Sequence, residues 1–127
     1  MKLVSLDHLV LTVADIGATV RFYEQVLGME HQVSQEGRHA LHFGEQKINL
    51  HPKDHPFEPK ASLPTPGSAD LCFLTPWPVN DLLGHLEQNG ISPELGPVPR
   101  TGARSRLLSV YLRDPDGNLI EISNEVH

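Results

Sequence analysis

Two carboxylates interrupt apolar segments of the chain, one in ADLCF (Asp70) and one in LIEI (Glu121). A carboxylate in an apolar strand costs free energy unless it is paired or bound to a cation. His8, in LDHLVLTV, adds an imidazole in a similar setting. One imidazole and two carboxylates are a suitable ligand set for a divalent metal if the fold brings them together. Each residue alone is also typical of a solvent-facing strand position, and the pattern leaves both interpretations open.

Alternation of apolar and polar residues places these side chains on strands. In LDHLVLTV, Leu9 and Leu11 face one way and His8 faces the other, as in a half-buried strand. The same period of two puts polar side chains on one face of four strands: His8, Asn49 with His51, Asp70 with Cys72, and Glu121. The opposite, apolar faces are expected to pack under helices.

The two halves of the sequence share one order of predicted elements. After its first strand, each half has a helix; Asp15 caps the first and Gly28 ends it, while Asn89-Gly90 ends the second. Three strands then follow in each half, at Glu30–Ser34, His39–Phe43 and Lys47–His51, and at Glu94–Val98, Leu107–Arg113 and Leu119–Ser123. Pro97 limits the fourth of these to an edge strand or a loop. Asp114-Pro115-Asp116-Gly117 predicts a tight turn before the last strand.

A proline-rich stretch, HPKDHPFEPKASLPTPG, separates the halves, and proline lacks the N–H that helices and strands need. We therefore predict one α+β domain made of two βαβββ modules, with module one at 1–51, a linker at 52–67 and module two at 68–127.

Composition excludes several classes of function. The chain has 127 residues, a net charge of -6 and a single cysteine, Cys72. An acidic chain is a poor partner for nucleic acid or anionic membranes, and one cysteine excludes an internal disulfide framework. No apolar stretch reaches transmembrane length and the N-terminus does not resemble a signal peptide, so we expect a soluble, cytoplasmic protein.

Module two is longer by a segment, GPVPRTGARSR, that carries Arg100 and Arg104 among glycines and prolines. One interpretation is a mobile loop that clamps an anionic substrate. The other is a solvated hairpin, which is the more common role of a charged loop.

Three segments of this sequence resemble the vicinal oxygen chelate superfamily: LDHLVLTVADIGATVRFYEQVLGM, PGSADLCFLT and YLRDPDGNLIEI. That superfamily includes glyoxalase I, extradiol dioxygenases, fosfomycin-resistance thiol transferases and bleomycin-binding proteins. INLHP, FEPKA and PGSADLCF are similar to a subgroup called glyoxalase-domain-containing protein 5-like. The resemblance implies a curved eight-stranded mixed sheet with the helices outside, paired as a homodimer with shared sites. His8 and the Asn49 position would come from one chain, and Asp70 and Glu121 from the other.

The resemblance implies a metal site, but only some residues of this chain match the ligand types of the family. His8 and Glu121 match the histidine ligand of the first strand and the glutamate ligand of the last. Asp70 stands where most members have histidine, and Asn49 stands where glyoxalases have a glutamate or glutamine ligand. The implied cofactor is a divalent metal such as Ni, Mn, Fe, Co or Zn. His51 could add a nitrogen or line the cavity, and Cys72 is interpreted as a small core or cavity residue.

The implied activity is a glyoxalase-like isomerisation of the lactoylglutathione-lyase type, on a small oxygenated substrate that is anionic or a thiol conjugate. In that chemistry a metal stabilises an enediolate and Glu121 serves as both ligand and base. One alternative is extradiol ring cleavage, which usually needs two histidines and one carboxylate on iron, a pattern from which Asp70 departs. Another is a metal-free binding protein of the bleomycin-resistance type.

Overall fold

The computed structural model describes residues 1–127, which divide into two compact units, Met1–Gly67 and Ser68–His127. Unit one contains β1 (His8–Val13), α1 (Ile16–Gln25), β2 (Glu30–Val33), β3 (His39–Phe43) and β4 (Gln46–Pro52). Unit two contains β5 (Asp70–Leu74), α2 (Val79–Gln88), β6 (Leu95–Thr101), β7 (Arg106–Arg113) and β8 (Leu119–Val126). The βαβββ order therefore occurs twice, which confirms the predicted α+β fold class.

Each unit forms one four-stranded mixed sheet with the same topology. The strand orders are β1-β4-β3-β2 and β5-β8-β7-β6. The first and last strands of each unit pair in parallel, and the other neighbours pair antiparallel. A parallel pair requires a crossover connection, and the helix of each unit lies on that connection.

The core of unit one lies between its helix and one face of its sheet. Asp15 caps α1 by accepting a hydrogen bond from the Ala18 N–H at 3.1 Å, as the sequence predicts. The helix buries Val20 and Tyr23, and the strands bury the alternating residues of the apolar face, such as Val13 and Ile48. The opposite sheet face remains more open, and it carries His8.

Unit two repeats this arrangement. Leu82 and Leu86 of α2 are buried, as are Val110, Leu112, Ile120 and Ile122 of the sheet. Neither helix of the protein is long and apolar enough to span a membrane.

The segment with Arg100 and Arg104 forms a β-hairpin rather than a free loop. Residues 95–101 are the edge strand of the sheet, so the sequence prediction of an edge position is confirmed. Pairing with β7 shifts register between Leu95 and Val98, where Pro97 cannot donate a hydrogen bond.

Candidate functional site

The open face of the sheet in unit one presents His8 at its edge. His8 is exposed, and its Nδ1 lies 2.8 Å from Asp7 Oδ1. This contact lowers the pKa of the Asp7 carboxyl through the hydrogen bond and the charge of the imidazole. A histidine whose one nitrogen bonds a carboxylate is oriented, and its other nitrogen is left to bind a metal.

Asn49 and His51 follow on the adjacent strand of the same face. Val10 pairs with Asn49 and Thr12 pairs with His51 in the parallel register of β1 and β4. His51 is only 8% exposed, and its buried Nδ1 has no hydrogen-bond partner. Burial and the charge of Arg38 both lower the pKa of the His51 imidazole. His51 is therefore a buried lining residue in this unit, whereas His8 is accessible.

Glu121 lies on the open face of the second sheet, where two buried serines hold it. Ser109 Oγ donates to Glu121 Oε2 at 2.7 Å, and Ser123 Oγ lies 3.4 Å from the same oxygen. The two serine oxygens are 2.6 Å apart, and their residues are no more than 1% exposed. Ser109 bonds Oε2 and Ser123 lies nearest to the same oxygen, so Oε1 is the carboxylate oxygen that they leave available.

The hydroxyl protons of this cluster form an ordered chain. Each hydroxyl has one proton to donate, and that of Ser109 goes to Glu121. At 2.6 Å, Ser123 then donates to Ser109, and the Cys72 thiol, 3.4 Å away, can donate to Ser123. A carboxylate fixed by a buried network keeps one orientation, which both a metal ligand and a general base require.

Cys72 and Asp70 lie on the strand beside Glu121. Cys72 pairs with Glu121 in the parallel register, and Asp70 pairs with Leu119. Cys72 is exposed, so it is not a core residue. Partial burial raises the pKa of its thiol, the bond to Ser123 lowers it, and the carboxylates of Glu121 and Asp70 raise it. A raised thiol pKa reduces the share of thiolate, which is the nucleophilic form.

The predicted turn connects β7 to β8, and a hydrogen bond also ties it to the start of β5, the strand that carries Asp70. Asp114 Oδ1 accepts from the backbone N–H groups of Asp116 and Asn118, at 2.9 and 3.0 Å. The buried Asn118 Oδ1 accepts from the Ala69 N–H at 2.8 Å, immediately before Asp70. The DPDGN motif therefore fixes where Asp70 lies relative to β8.

The two arginines of the hairpin bind groups within unit two. Arg104 makes a bidentate ion pair with Glu125, at 2.8 and 2.7 Å, and these bonds with that of Ser105 lower the pKa of Glu125 to about 2. Arg100 donates to the Tyr111 hydroxyl at 2.9 Å. The clamp on an anionic substrate stays a prediction, and Arg104 would have to leave Glu125 to make it.

An open groove in unit two lies away from Glu121. It encloses about 550 Å³. Its lining includes Arg104 and Glu125 but neither Asp70 nor Glu121, so it is not the site that the sequence indicates.

Donor chemistry is the test of whether a divalent metal suits the predicted residues. No three histidine, cysteine, aspartate or glutamate side chains form a metal-binding group within either unit. Unit one provides the oriented imidazole of His8, and unit two provides the carboxylates of Asp70 and Glu121. These nitrogen and oxygen donors fit a divalent metal of intermediate hardness, and the outer contacts of His8 and Glu121 are those that metal ligands usually have.

The sequence pattern does not single out Ser109 and Ser123, the two serines that lie beside Glu121. The sequence contains part of the signal, because the polar Ser109 interrupts the apolar run LLSVYL. In a strand, Ser109 and its neighbour Val110 point to opposite faces of the sheet. Their meeting with Glu121 depends on the register of β7 and β8, in which Ser109 pairs with Ser123.

Comparison with known proteins agrees with this architecture. The family model described as Glyoxalase/Bleomycin resistance protein/Dioxygenase superfamily matches residues 5–122. Virulence protein STM3117 of Salmonella typhimurium strain LT2 is 60% identical over 121 residues, which cover 95% of this chain and 84% of that protein. Its crystal structure matches with a TM-score of 0.97 and 59% identity, over 99% of this chain and 100% of that chain.

Two other relatives are similar over most of their length. The glyoxalase domain-containing protein RDO1 of Mycosarcoma maydis is 53% identical over 120 residues, which cover 94% of this chain and 68% of that protein. The integron cassette protein VCH_CASS1, from the mobile metagenome of V. cholerae, matches with a TM-score of 0.95 and 56% identity, over 98% of this chain and 97% of that chain. The resemblance read from the sequence motifs is confirmed: this chain belongs to the glyoxalase/bleomycin resistance protein/dioxygenase superfamily.

Proposed function

We propose that this protein is a divalent-metal-dependent enzyme of the glyoxalase type, acting on a small oxygenated substrate. The proposal rests on how the Glu121 carboxylate is held. One of its oxygens accepts a hydrogen bond from a chain of two buried serines, and the residue lies on the open face of its sheet. A merely solvated glutamate does not need a buried hydroxyl chain. Membership of the superfamily supports a glyoxalase-like or dioxygenase-like activity in general terms.

His8, Asp70 and Glu121 are the proposed metal ligands. A divalent metal bound there would supply Lewis-acid polarisation of a substrate carbonyl. Asp7 orients the imidazole of His8, and Ser109 with Ser123 orients the carboxylate of Glu121. Glu121 is also the proposed base that takes a proton from the carbon next to the carbonyl, and Oε1, the oxygen that the serines leave available, would serve one of the two roles at a time.

Asn49 limits the proton transfer that the chain can perform. An amide does not accept a proton in this role, so the second base position seen in glyoxalases is lost here. Glu121 would then have to remove the proton and return it. A single base that serves both steps is compatible with isomerisation between adjacent carbons.

A homodimer is the proposed assembly, with His8 of one chain and the carboxylates of the partner subunit in each site. The support is that members of the superfamily often act as dimers, together with the finding that neither unit alone provides the whole ligand set. A dimer with twofold symmetry would contain two equivalent sites of this kind.

Turnover of a ketoaldehyde–thiol adduct tests the proposed activity. The wild-type protein, loaded in turn with Ni, Co, Mn, Zn and Fe(II), is assayed with the methylglyoxal–glutathione adduct and with a catechol. Isomerisation that is lost in Glu121→Gln supports the proposal. Ring cleavage with iron alone would instead indicate a dioxygenase, and binding without any turnover would indicate a binding protein.

A further inference from the structure

The linker after β4 folds back over the open face of unit one, away from His8. Phe57 packs its ring edge against His51, with 5.4 Å between the ring centroids. Arg38 lies over the same Phe57 ring, with its guanidinium carbon 4.4 Å from the centroid. Arg38 and His51 therefore contact the same aromatic ring, and the charge of Arg38 is close enough to lower the pKa of the His51 imidazole.

The buried His51 Nδ1 has no hydrogen-bond partner, and the exposed Arg38 guanidinium has no ion-pair partner. The His51 Nδ1 is buried without a hydrogen bond, in a residue that is only 8% exposed. No carboxylate lies within ion-pair distance of Arg38, and the nearby Glu58 is paired with Lys60. An unpartnered buried nitrogen costs free energy, and a partner that binds there recovers it.

We propose that Arg38 and His51, held by Phe57, form a subsite for a carboxylate group of the substrate. The guanidinium presents donors in the geometry of a carboxylate, and the His51 Nδ1–H adds one more. The linker that carries Phe57 has no helix or strand, and the proposal requires this linker to move enough to expose the His51 Nδ1 while Phe57 keeps its contacts with both groups. This inference rests on the proposed function, because it assigns the anionic end of that substrate.

The position of the subsite suits a substrate with two separated ends. His8 pairs with Lys47 and Thr12 pairs with His51, four residues farther along the same face. That separation is roughly 13 Å at about 3.3 Å per residue. The carboxylate subsite is therefore distinct from the proposed metal position, and it would bind the part of the substrate that does not react.

Binding of a simple carboxylate tests the proposal without metal or turnover. The full-length protein, with ¹⁵N-labelled histidines, is titrated with butyrate and with its neutral counterpart butanamide, and the ring nitrogen signals of His51 are followed by NMR. We expect a saturable shift with butyrate and none with butanamide. Arg38→Gln should weaken butyrate binding about tenfold, since it removes a charge-assisted bond. Arg21→Gln, a change at an exposed arginine of α1, should leave binding unchanged.

Three results would overturn the carboxylate subsite: no saturable shift, equal shifts with both compounds, or an unchanged affinity in Arg38→Gln. Phe57→Leu provides a second variant, and it should weaken binding because the platform for both groups is lost. If butyrate does not bind but turnover is normal and depends on Glu121, the carboxylate subsite is refuted and the proposed function stands. Butyrate binding without any turnover would refute the proposed function alone. In an active enzyme, Arg38→Gln should raise KM for an anionic substrate and leave kcat unchanged.

Discussion

Glu121 is the residue on which the proposed chemistry depends most. Glu121→Gln keeps the shape of the side chain but removes its charge and its ability to take a proton. We expect kcat to fall by about 10²- to 10⁴-fold, the usual contribution of a general base, and metal binding to weaken. Turnover and metal affinity are compared with those of Glu87→Gln, at an exposed position of α2. Normal turnover in Glu121→Gln would remove this residue from the mechanism.

Ser109 is expected to act through Glu121 rather than on the substrate. Ser109→Ala deletes the 2.7 Å bond to Oε2 and leaves the carboxylate held only by the longer contact from Ser123. A hydrogen bond to a charged group is worth about 1.5–3 kcal/mol, so metal affinity and kcat should each fall by about tenfold or more.

A role in positioning predicts a specific kinetic pattern for Ser109→Ala. KM should stay near its wild-type value, because the serine does not contact the substrate. Ser92→Ala, a change at an exposed serine, provides the control. A rise in KM with unchanged kcat and metal affinity would place Ser109 in substrate binding instead.

At the scale of elements, the edge strand β6 depends on a glycine. Gly96 has φ +110°, and a Cβ there would lie 2.4 Å from the Ser109 carbonyl oxygen. Gly96→Ala should therefore lower the free energy of unfolding by more than about 1 kcal/mol, since both the backbone conformation and the close approach oppose a side chain. Thermal unfolding measures the effect.

Gly84→Ala in α2 is the matched control for Gly96→Ala. Apart from the adjacent residues and the backbone of its own helix, no atom lies within 4 Å of the added Cβ at Gly84, and alanine favours a helix over glycine by about 1 kcal/mol. The Tm should rise in Gly84→Ala and fall in Gly96→Ala. A Gly96→Ala protein as stable as wild type would contradict the close packing of β6 on β7.

The hairpin ion pair predicts a pH dependence of stability. Arg104 and Ser105 lower the pKa of Glu125 from 4.5 to about 2, so the folded state favours the charged form. The stabilisation is present above pH about 4.5 and is lost as the pH falls toward 2. The Tm difference between wild type and Glu125→Gln should therefore be largest near neutral pH and shrink below pH 4.5. A difference that is the same at pH 7 and pH 3 would show that the ion pair contributes nothing, and Glu24→Gln serves as the surface control.

Elements were easier to predict from the sequence than the contacts between them. Alternation and caps placed β1, β3 and both helices, because these signals are local: Asp15 caps α1 as predicted. The last strand extends to Val126, three residues beyond the prediction, because the apolar pattern ends at Ser123 while the pairing with β7 continues.

Residues that meet through strand register could not be predicted. Ser109 and Glu121 are brought together by the pairing of β7 with β8, and that register has no local signal. Phe57 lies in a proline-rich linker whose path over His51 depends on packing rather than on periodicity. For Cys72 the core alternative is wrong, because β5 exposes alternate residues and Cys72 is one of them, while its cavity-lining role stays a prediction.

At the scale of the whole molecule, the proposed homodimer predicts complementation between two defective variants. His8→Ala and Glu121→Gln chains are denatured together, refolded and loaded with metal. If each site combines His8 of one chain with Glu121 of the other, every mixed dimer contains one intact site. Random pairing then restores about a quarter of the wild-type metal content, since half of the dimers are mixed and each has two sites. No recovery in a mixture shown to contain dimers would contradict shared sites.

Metal content tests the central proposal most directly, that His8, Asp70 and Glu121 hold a divalent metal. Tag-free protein, purified without air or chelator, is analysed by mass spectrometry beside His8→Ala and the control variant His127→Ala, whose histidine lies outside the proposed site. We predict about one divalent metal per chain in the wild type and in the control, and its loss in His8→Ala. No metal in any of the three proteins, even after reconstitution, would contradict the proposal and leave these side chains as the polar lining of a binding protein.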